Sequence, residues 1–406
     1  MAESPDLAAV EAARARLQGA IYQTPCPYSQ TLSELTGTRC HVKLENLQMT
    51  GSFKERGAAN LLLQLDPAER GRGVVAASAG NHGLAVAFHA ARLGIPATIV
   101  MPTYAPLIKA ASARRSGAEV ILHGANYDEA YERATALVTE RGAVFVHPFD
   151  DPRVVAGQGT LGLELLEDDP DLAKVVVPVG GGGLSSGVAI AVKSARPDVE
   201  VVGVQVETVA AFAESLRRGE PVGVSSALTI ADGIAVKRPG DLTLPLVQRW
   251  LDDVVVVPED DVAEAMVLCM EKAKLVVEGA GAVGMAAVLG GQTRAARSGT
   301  TAVVLSGGNV DAGLLAAIAR RHETESGRRL ILLTRIPDRP GGLATLLATV
   351  AATGANIVDV SHVREGLDLH VRETAVELVL ETRGHEHAQR VIAKLHEEGY
   401  EAQVLR

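Results

Sequence analysis

Aromatic side chains are scarce in this chain. One Trp, six Tyr and five Phe make up 3% of 406 residues, so a large core must be assembled from Val, Leu, Ile and Ala. Cysteine is nearly absent. Cys26, Cys40 and Cys269 show no paired spacing, which excludes a zinc signature and a disulfide framework and suits a reducing cytoplasm. There is no basic excess: 39 Lys and Arg stand against 49 Asp and Glu, for a net charge of -10. That balance argues against a general nucleic-acid binder, whose phosphate contacts need a basic face. No run of 18 apolar residues occurs, so no membrane span is expected. The first residues, Met1 to Asp6, lack a basic stretch followed by an apolar one, so no secretory leader is expected either.

With 47% hydrophobic and 22% charged residues, the chain reads as a soluble, cytoplasmic globular protein of two or three domains. From position 73 onward short apolar runs alternate with helical patterns. Strands are expected over 73–77, 97–101 and 118–122, and helices over 81–93, 106–116, 127–141 and 154–166. A second set has strands over 174–179, 199–206, 254–257 and 301–305, with helices over 184–195, 261–273 and 280–289. Such alternation indicates an α/β fold with mainly parallel sheets in two lobes. The polar run 322–328 reads as a linker. Beyond it, strands over 330–336, 356–363, 375–381 and 402–405 and helices over 343–352 and 386–398 give a ferredoxin-like βαββαβ domain at 329–406.

Three motifs carry chemistry. Thr50-Gly51-Ser52-Phe53-Lys54 sets a lysine behind a Gly-Ser turn and beside a phenylalanine. A desolvated lysine amine can lose its proton and link to an aldehyde, and Phe53 offers a flat face for an aromatic ring. Ser78-Ala79-Gly80-Asn81-His82 lies between a strand and a helix, where backbone amides can seat a carboxylate. Gly180-Gly181-Gly182-Gly183-Leu184 follows a β-branched run and opens a helix, a cradle for one phosphate. A dinucleotide fold competes for this last motif, with Glu207 as the ribose-binding acid, but Ser185 or Ser186 occupies the position of the third glycine. A fourth stretch, Ser306-Gly307-Gly308-Asn309, ends a strand with a serine able to bond a flat ring. A reactive lysine, a single-phosphate cradle and a ring-facing polar group together describe pyridoxal 5'-phosphate.

With these motifs, and with Ile230-Ala231-Asp232-Gly233-Ile234 and Glu278-Gly279-Ala280-Gly281-Ala282 in the same order, the chain resembles the threonine ammonia-lyase (threonine dehydratase) family. The resemblance covers nearly the whole chain and implies a two-lobed tryptophan-synthase-β-like fold over 1–321, its smaller lobe near 50–150. It implies that Lys54 links to the cofactor and takes the substrate α-proton, and that Phe53 packs on the ring. Asn81 would bond the ring 3'-oxygen, Gly180, Gly181, Gly182, Gly183 and Leu184 would hold the phosphate, and Ser306 would meet the pyridine nitrogen. Ser78, Ala79, Gly80, Asn81 and His82 would grip the substrate carboxylate. Related serine racemases carry a serine where this chain has Ala79, so elimination is expected rather than racemisation. Ala213 replaces a second carboxylate near Glu207, and no metal is expected.

The C-terminal βαββαβ domain looks like an ACT module, with Asp338, Gly341, Gly342 and Asn356 as candidate effector contacts and a branched-chain amino acid as effector. A homo-oligomer, dimer or tetramer, is expected. The implied activity is deamination of L-threonine to 2-oxobutanoate, and of L-serine to pyruvate. Other readings are a serine or hydroxyaspartate dehydratase, a threonine synthase, a serine racemase, an amino-acid sensor with inert lobes, or an NAD-dependent oxidoreductase.

Overall fold

Segments such as Val74–Ala77, Ala97–Met101 and Thr300–Leu305 have too few polar side chains for a wetted sheet, and they become parallel strands buried on both faces. A computed structural model describes residues 4–105, 107–225, 228–294, 296, 298–365 and 368–405, in two compact units, Met1–Val310 and Asp311–Arg406. Pro106, expected to open a helix, and the first three residues lie outside the described residues.

The first unit carries β1 (Cys40–Leu44), β2 (Val74–Ala77), β3 (Ala97–Met101), β4 (Glu119–Leu122), β5 (Val144–Phe145), β6 (Leu172–Pro178), β7 (Glu200–Val206), β8 (Asp253–Val257) and β9 (Thr300–Leu305). They form two sheets, ordered β4-β3-β2-β5 and β1-β9-β6-β7-β8, with every pair parallel. Leu61, Leu62, Val74, Ile99 and Met101 fill the core of the smaller sheet, and Leu161, Val175, Val188, Val201 and Ala302 that of the larger. In parallel sheets the loops leaving the carboxyl ends of strands meet at one edge, the usual place for a site. Here the loops after β2, β6 and β9 are three of the four motif-bearing segments: Ser78 follows Ala77 by one residue, Val179 and Gly180 follow Pro178, and Ser306 follows Leu305.

The lysine stretch joins them through the backbone. Phe53 N donates to Ser306 O at 3.0 Å, and Ser52 and Gly307 form an antiparallel bridge. The helix Lys54–Leu63 that follows is anchored by buried charge. Arg56 is fully buried and donates to Glu45 (2.7 Å) and Glu164 (2.6 Å), while Lys43 reaches Glu164 (2.8 Å) and Asp168 (2.9 Å). Each buried charge has a partner, the condition on which such a network is tolerated.

In the second unit β10 (Arg329–Pro337), β11 (Asn356–Val363), β12 (Glu373–Glu381) and β13 (Gln403–Leu405) form an antiparallel sheet ordered β11-β12-β10-β13. Helices Gly342–Ala352 and His385–Glu397 lie between β10 and β11 and between β12 and β13, the βαββαβ order. Leu330, Leu332, Leu346, Val376, Leu378, Val391 and Leu395 form its core. The run expected as a linker at 322–328 overlaps the end of a 14-residue helix, Ala312–Glu325, capped by Asp311. Its charges sit at helical spacing: Arg321 pairs with Glu325 four residues on, at 2.7 Å. A solvated helix end and a polar linker have the same composition, and only the i,i+4 pairing separates them.

Candidate active site

Lys54 opens its helix, and Gly51, at φ +77, makes the preceding turn without the strain a side chain would bring. The Lys54 amine donates to Pro148 O at 2.9 Å and lies 5.1 Å from the Phe53 ring centroid. Burial pulls its pKa down to about 8, against the opposing pull of Glu278. About a tenth of such amines are neutral at pH 7, against roughly one in three thousand at the ordinary value near 10.5.

Gly182 stands at φ +87, and a Cβ there would meet Phe212 Cζ at 2.6 Å; a Cβ on Gly181 would clash with Phe149 Cγ and Cδ1 at 2.2 Å. The loop Gly180–Gly183 is therefore bare backbone at the start of the helix Gly183–Ala195, with Leu184 buried behind it. In the helix's first turn the Ser186 hydroxyl is buried without a hydrogen-bond partner. Bare amides at a helix N-terminus and an orphaned buried hydroxyl fit a phosphate group. Thr243 Oγ1 donates to Gly181 O at 2.7 Å and steadies the loop.

On the other side, Asn81 begins the helix Asn81–Arg92. Asn81 Nδ2 donates to Glu278 Oε1 at 2.7 Å, and Asn81 Oδ1 accepts from Asn309 Nδ2 at 2.9 Å. Asn309 also donates to Thr50 O at 2.7 Å, which ties the small-sheet loop to the lysine turn. Ser78 Oγ accepts from Gly80 N at 3.1 Å and shapes the loop, and Ala79 packs against the small-sheet core. His82 turns away: buried, it donates through Nε2 to Val146 O at 2.8 Å, and burial holds its pKa near 3, so the ring is neutral. Ser306 is buried at the end of β9.

Lys54, Phe53, Asn81, the Gly180–Leu184 loop and Ser306 thus lie at the carboxyl ends of the strands of the two parallel sheets. The four effector candidates lie in the second unit. There Asp338 is held by Arg364 (2.8 Å), Asn356 donates to Glu381 (3.1 Å), and Gly341, at φ +90, caps the helix begun by Gly342. Glu207 Oε1 accepts from Glu259 N at 3.3 Å, while Ala213 N donates to Gln205.

Sequence reasoning gave no role to Glu278, Asn309, Pro148 or Phe149. Glu278 is 6% exposed, and burial and then the Asp232 charge push its pKa up to about 7, against the bond from Asn81. The first two stand inside motifs already singled out, at the head of 278–282 and the end of 306–309. The other two fall between the helices expected at 127–141 and 154–166, in a stretch that carries none of the motifs.

Residues 17–307 match the family model described as pyridoxal-phosphate dependent enzyme. The chain is 49% identical over 396 residues, 98% of each chain, to the L-threonine ammonia-lyase of Thermotoga maritima. Among solved structures, a threonine deaminase from T.th. matches with a TM-score of 0.71 at 41% identity, covering 76% of this chain and 99% of its own. Maize serine racemase matches with a TM-score of 0.75 at 36% identity, covering 80% and 99%. With this match, and with the lysine, the glycine cradle and the Asn81 loop at the carboxyl ends of its two parallel sheets, the chain belongs to the pyridoxal-phosphate dependent enzymes.

Proposed function

We propose that the protein is a threonine ammonia-lyase, converting L-threonine to 2-oxobutanoate and ammonia, and L-serine to pyruvate and ammonia. The observation that carries this reading is the desolvated Lys54 amine, 2.9 Å from Pro148 O and beside a bare glycine cradle. The substrate class follows the relative that matches along 98% of both chains. Bound pyridoxal phosphate supplies an aldehyde for an amine link and a ring that spreads the electron pair left by a broken Cα–H bond. Gly180 to Leu184 and Ser186 would hold its phosphate, Phe53 would pack on its ring, and Ser306 would meet the ring nitrogen. The Ser78–His82 loop seats the substrate carboxylate.

Lys54 Nζ, neutral in an appreciable fraction, accepts the α-proton. The Cβ–O bond then breaks, and the leaving hydroxide takes the proton now held on Lys54 Nζ and departs as water. The released enamine takes that water back by hydrolysis, giving the 2-oxo acid and ammonia. Ser306 carries no charge to strengthen the ring as an electron sink, which favours elimination over reactions that need a long-lived carbanion. Ala79 has no proton to give, and for that reason we read elimination rather than the racemisation named for the maize protein.

The C-terminal βαββαβ unit is read as an ACT-type regulatory module. It binds a branched-chain amino acid near Asp338, Gly341, Gly342 and Asn356, in a homo-oligomer of the cytoplasm. No helix among the described residues is long and apolar enough to cross a membrane, and the three cysteines are free. The test is 2-oxobutanoate release from L-threonine by the cofactor-loaded protein. Steady formation is expected, and its absence contradicts the reading.

A further inference from the structure

The turn after β5 sets an aromatic ring against the glycine cradle, one residue beyond the carbonyl that the reactive amine bonds. Pro148 O is the acceptor for Lys54, and Phe149 is the next residue. The ring lies directly on the cradle: a Cβ on Gly181 would come within 2.2 Å of Phe149 Cγ and Cδ1, and one on Gly183 would lie 3.0 Å from Phe149 Cβ. Its position is clamped from both sides. The amides of Phe149 and Asp150 donate to His147 Nδ1 at 3.2 and 2.7 Å, and the His147 ring meets the Phe149 ring edge-on, with centroids 4.7 Å apart. The Asp150 carboxylate accepts from the backbone amides of Asp241, Leu242 and Thr243, each at 3.1 Å. A ring fixed at this spot costs little further ordering when a ligand packs on it.

The charges around the amine point the same way. Glu278 is acidic, and His82 and His147 are kept neutral by burial, with pKa values near 3 and 4. Arg56, two residues from the lysine, is committed to Glu45 and Glu164, and Lys109 pairs with Asp232 at 3.4 Å. Each of these neighbouring cations is already paired, so a second carboxylate on the substrate would meet a phenyl ring with none of these cations free to receive it.

We propose that Phe149 is a specificity-determining residue: its ring is the wall for the substrate side chain, selecting small uncharged β-hydroxy side chains and rejecting a side-chain carboxylate. This rests on the reading of the site as a hydroxy-amino-acid lyase and names what sets its substrate range. One methyl against an apolar wall is worth about tenfold, the difference between threonine and serine.

The test uses the cofactor-loaded full chain. L-2-Aminobutyrate and L-aspartate have no β-hydroxyl to lose, so their equilibrium binding is read from the cofactor's visible absorbance without turnover. The wild type should bind L-2-aminobutyrate at least ~10-fold more tightly than L-aspartate. Phe149→Arg should narrow that ratio about tenfold, and Phe149→Leu should lower the threonine-to-serine ratio of kcat/KM several-fold. Should Phe149→Arg fail to fold, the wild-type preference and the leucine variant still decide. The proposal is overturned if the wild type shows no preference, or if both variants bind cofactor and keep the wild-type ratios. Failure to deaminate threonine while the side-chain preference stands would instead contradict the lyase assignment, so the two failures are separable.

Discussion

Replacing Glu278 with glutamine should stabilise the cofactor-free protein at pH 8 and do little at pH 4. In the fold Glu278 is buried with a neutral amide, Asn81 Nδ2, as its hydrogen-bond donor at 2.7 Å, and its pKa rises from 4.5 to about 7. Between those values the folded chain holds a proton that the unfolded chain has released, so stability falls as pH rises through this window. Below about pH 4.5 both states are protonated and the penalty vanishes. Above about pH 7 it is complete, on the order of 3 kcal/mol at ~1.4 kcal/mol per pH unit. Glutamine keeps an oxygen to accept from Asn81 and carries no charge, so its stability should lack this slope. Urea unfolding of both proteins from pH 4 to pH 8 measures it. A gain for Glu278→Gln that appears above pH 5 and levels off near pH 8 is expected. A difference that stays flat with pH, or that favours the wild type at pH 8, refutes the reasoning.

Arg56→Met should destabilise the protein by about 3–5 kcal/mol in urea unfolding, because Glu45 and Glu164 are left buried without their cation. L-Isoleucine should bind the full-length chain in calorimetry and change the apparent threonine affinity, commonly by about 1–3 kcal/mol of coupling. A chain ending at Val310, where the first compact unit closes, should keep deaminating threonine and lose that response. Isoleucine binding of equal strength by the shortened chain would contradict the regulatory reading.

Much of the fold was legible because it is local. The strand Ala97–Met101, the helix Tyr127–Arg141 and the strand Asn356–Val363 run over the expected residues, each bounded by its own turn or cap. Short or atypical elements were not legible. The helix Thr243–Trp250 carries Pro245, which reads as a breaker, yet a first-turn amide has no intrahelical acceptor to lose. β5 spans two residues and exists only by pairing with β2. The site divides on the same line. Lys54, the glycine loop and the Asn81 loop each announce themselves within a few residues. The acceptor for Lys54 lies 94 residues away at Pro148, and the carboxyl that engages Asn81 lies 197 residues away at Glu278. No local pattern marks which distant loop will close over a lysine; that is decided by where the carboxyl ends of two sheets meet.

The central claim is that the chemistry belongs to one amine, Lys54. Borohydride reduction of the cofactor-loaded protein makes the link between cofactor and lysine permanent, and peptide mass spectrometry then finds the modified residue. The label should sit on Lys54 alone, and Lys54→Ala should show neither the label nor 2-oxobutanoate release. A label on another lysine, or undiminished threonine turnover by Lys54→Ala, would contradict the account.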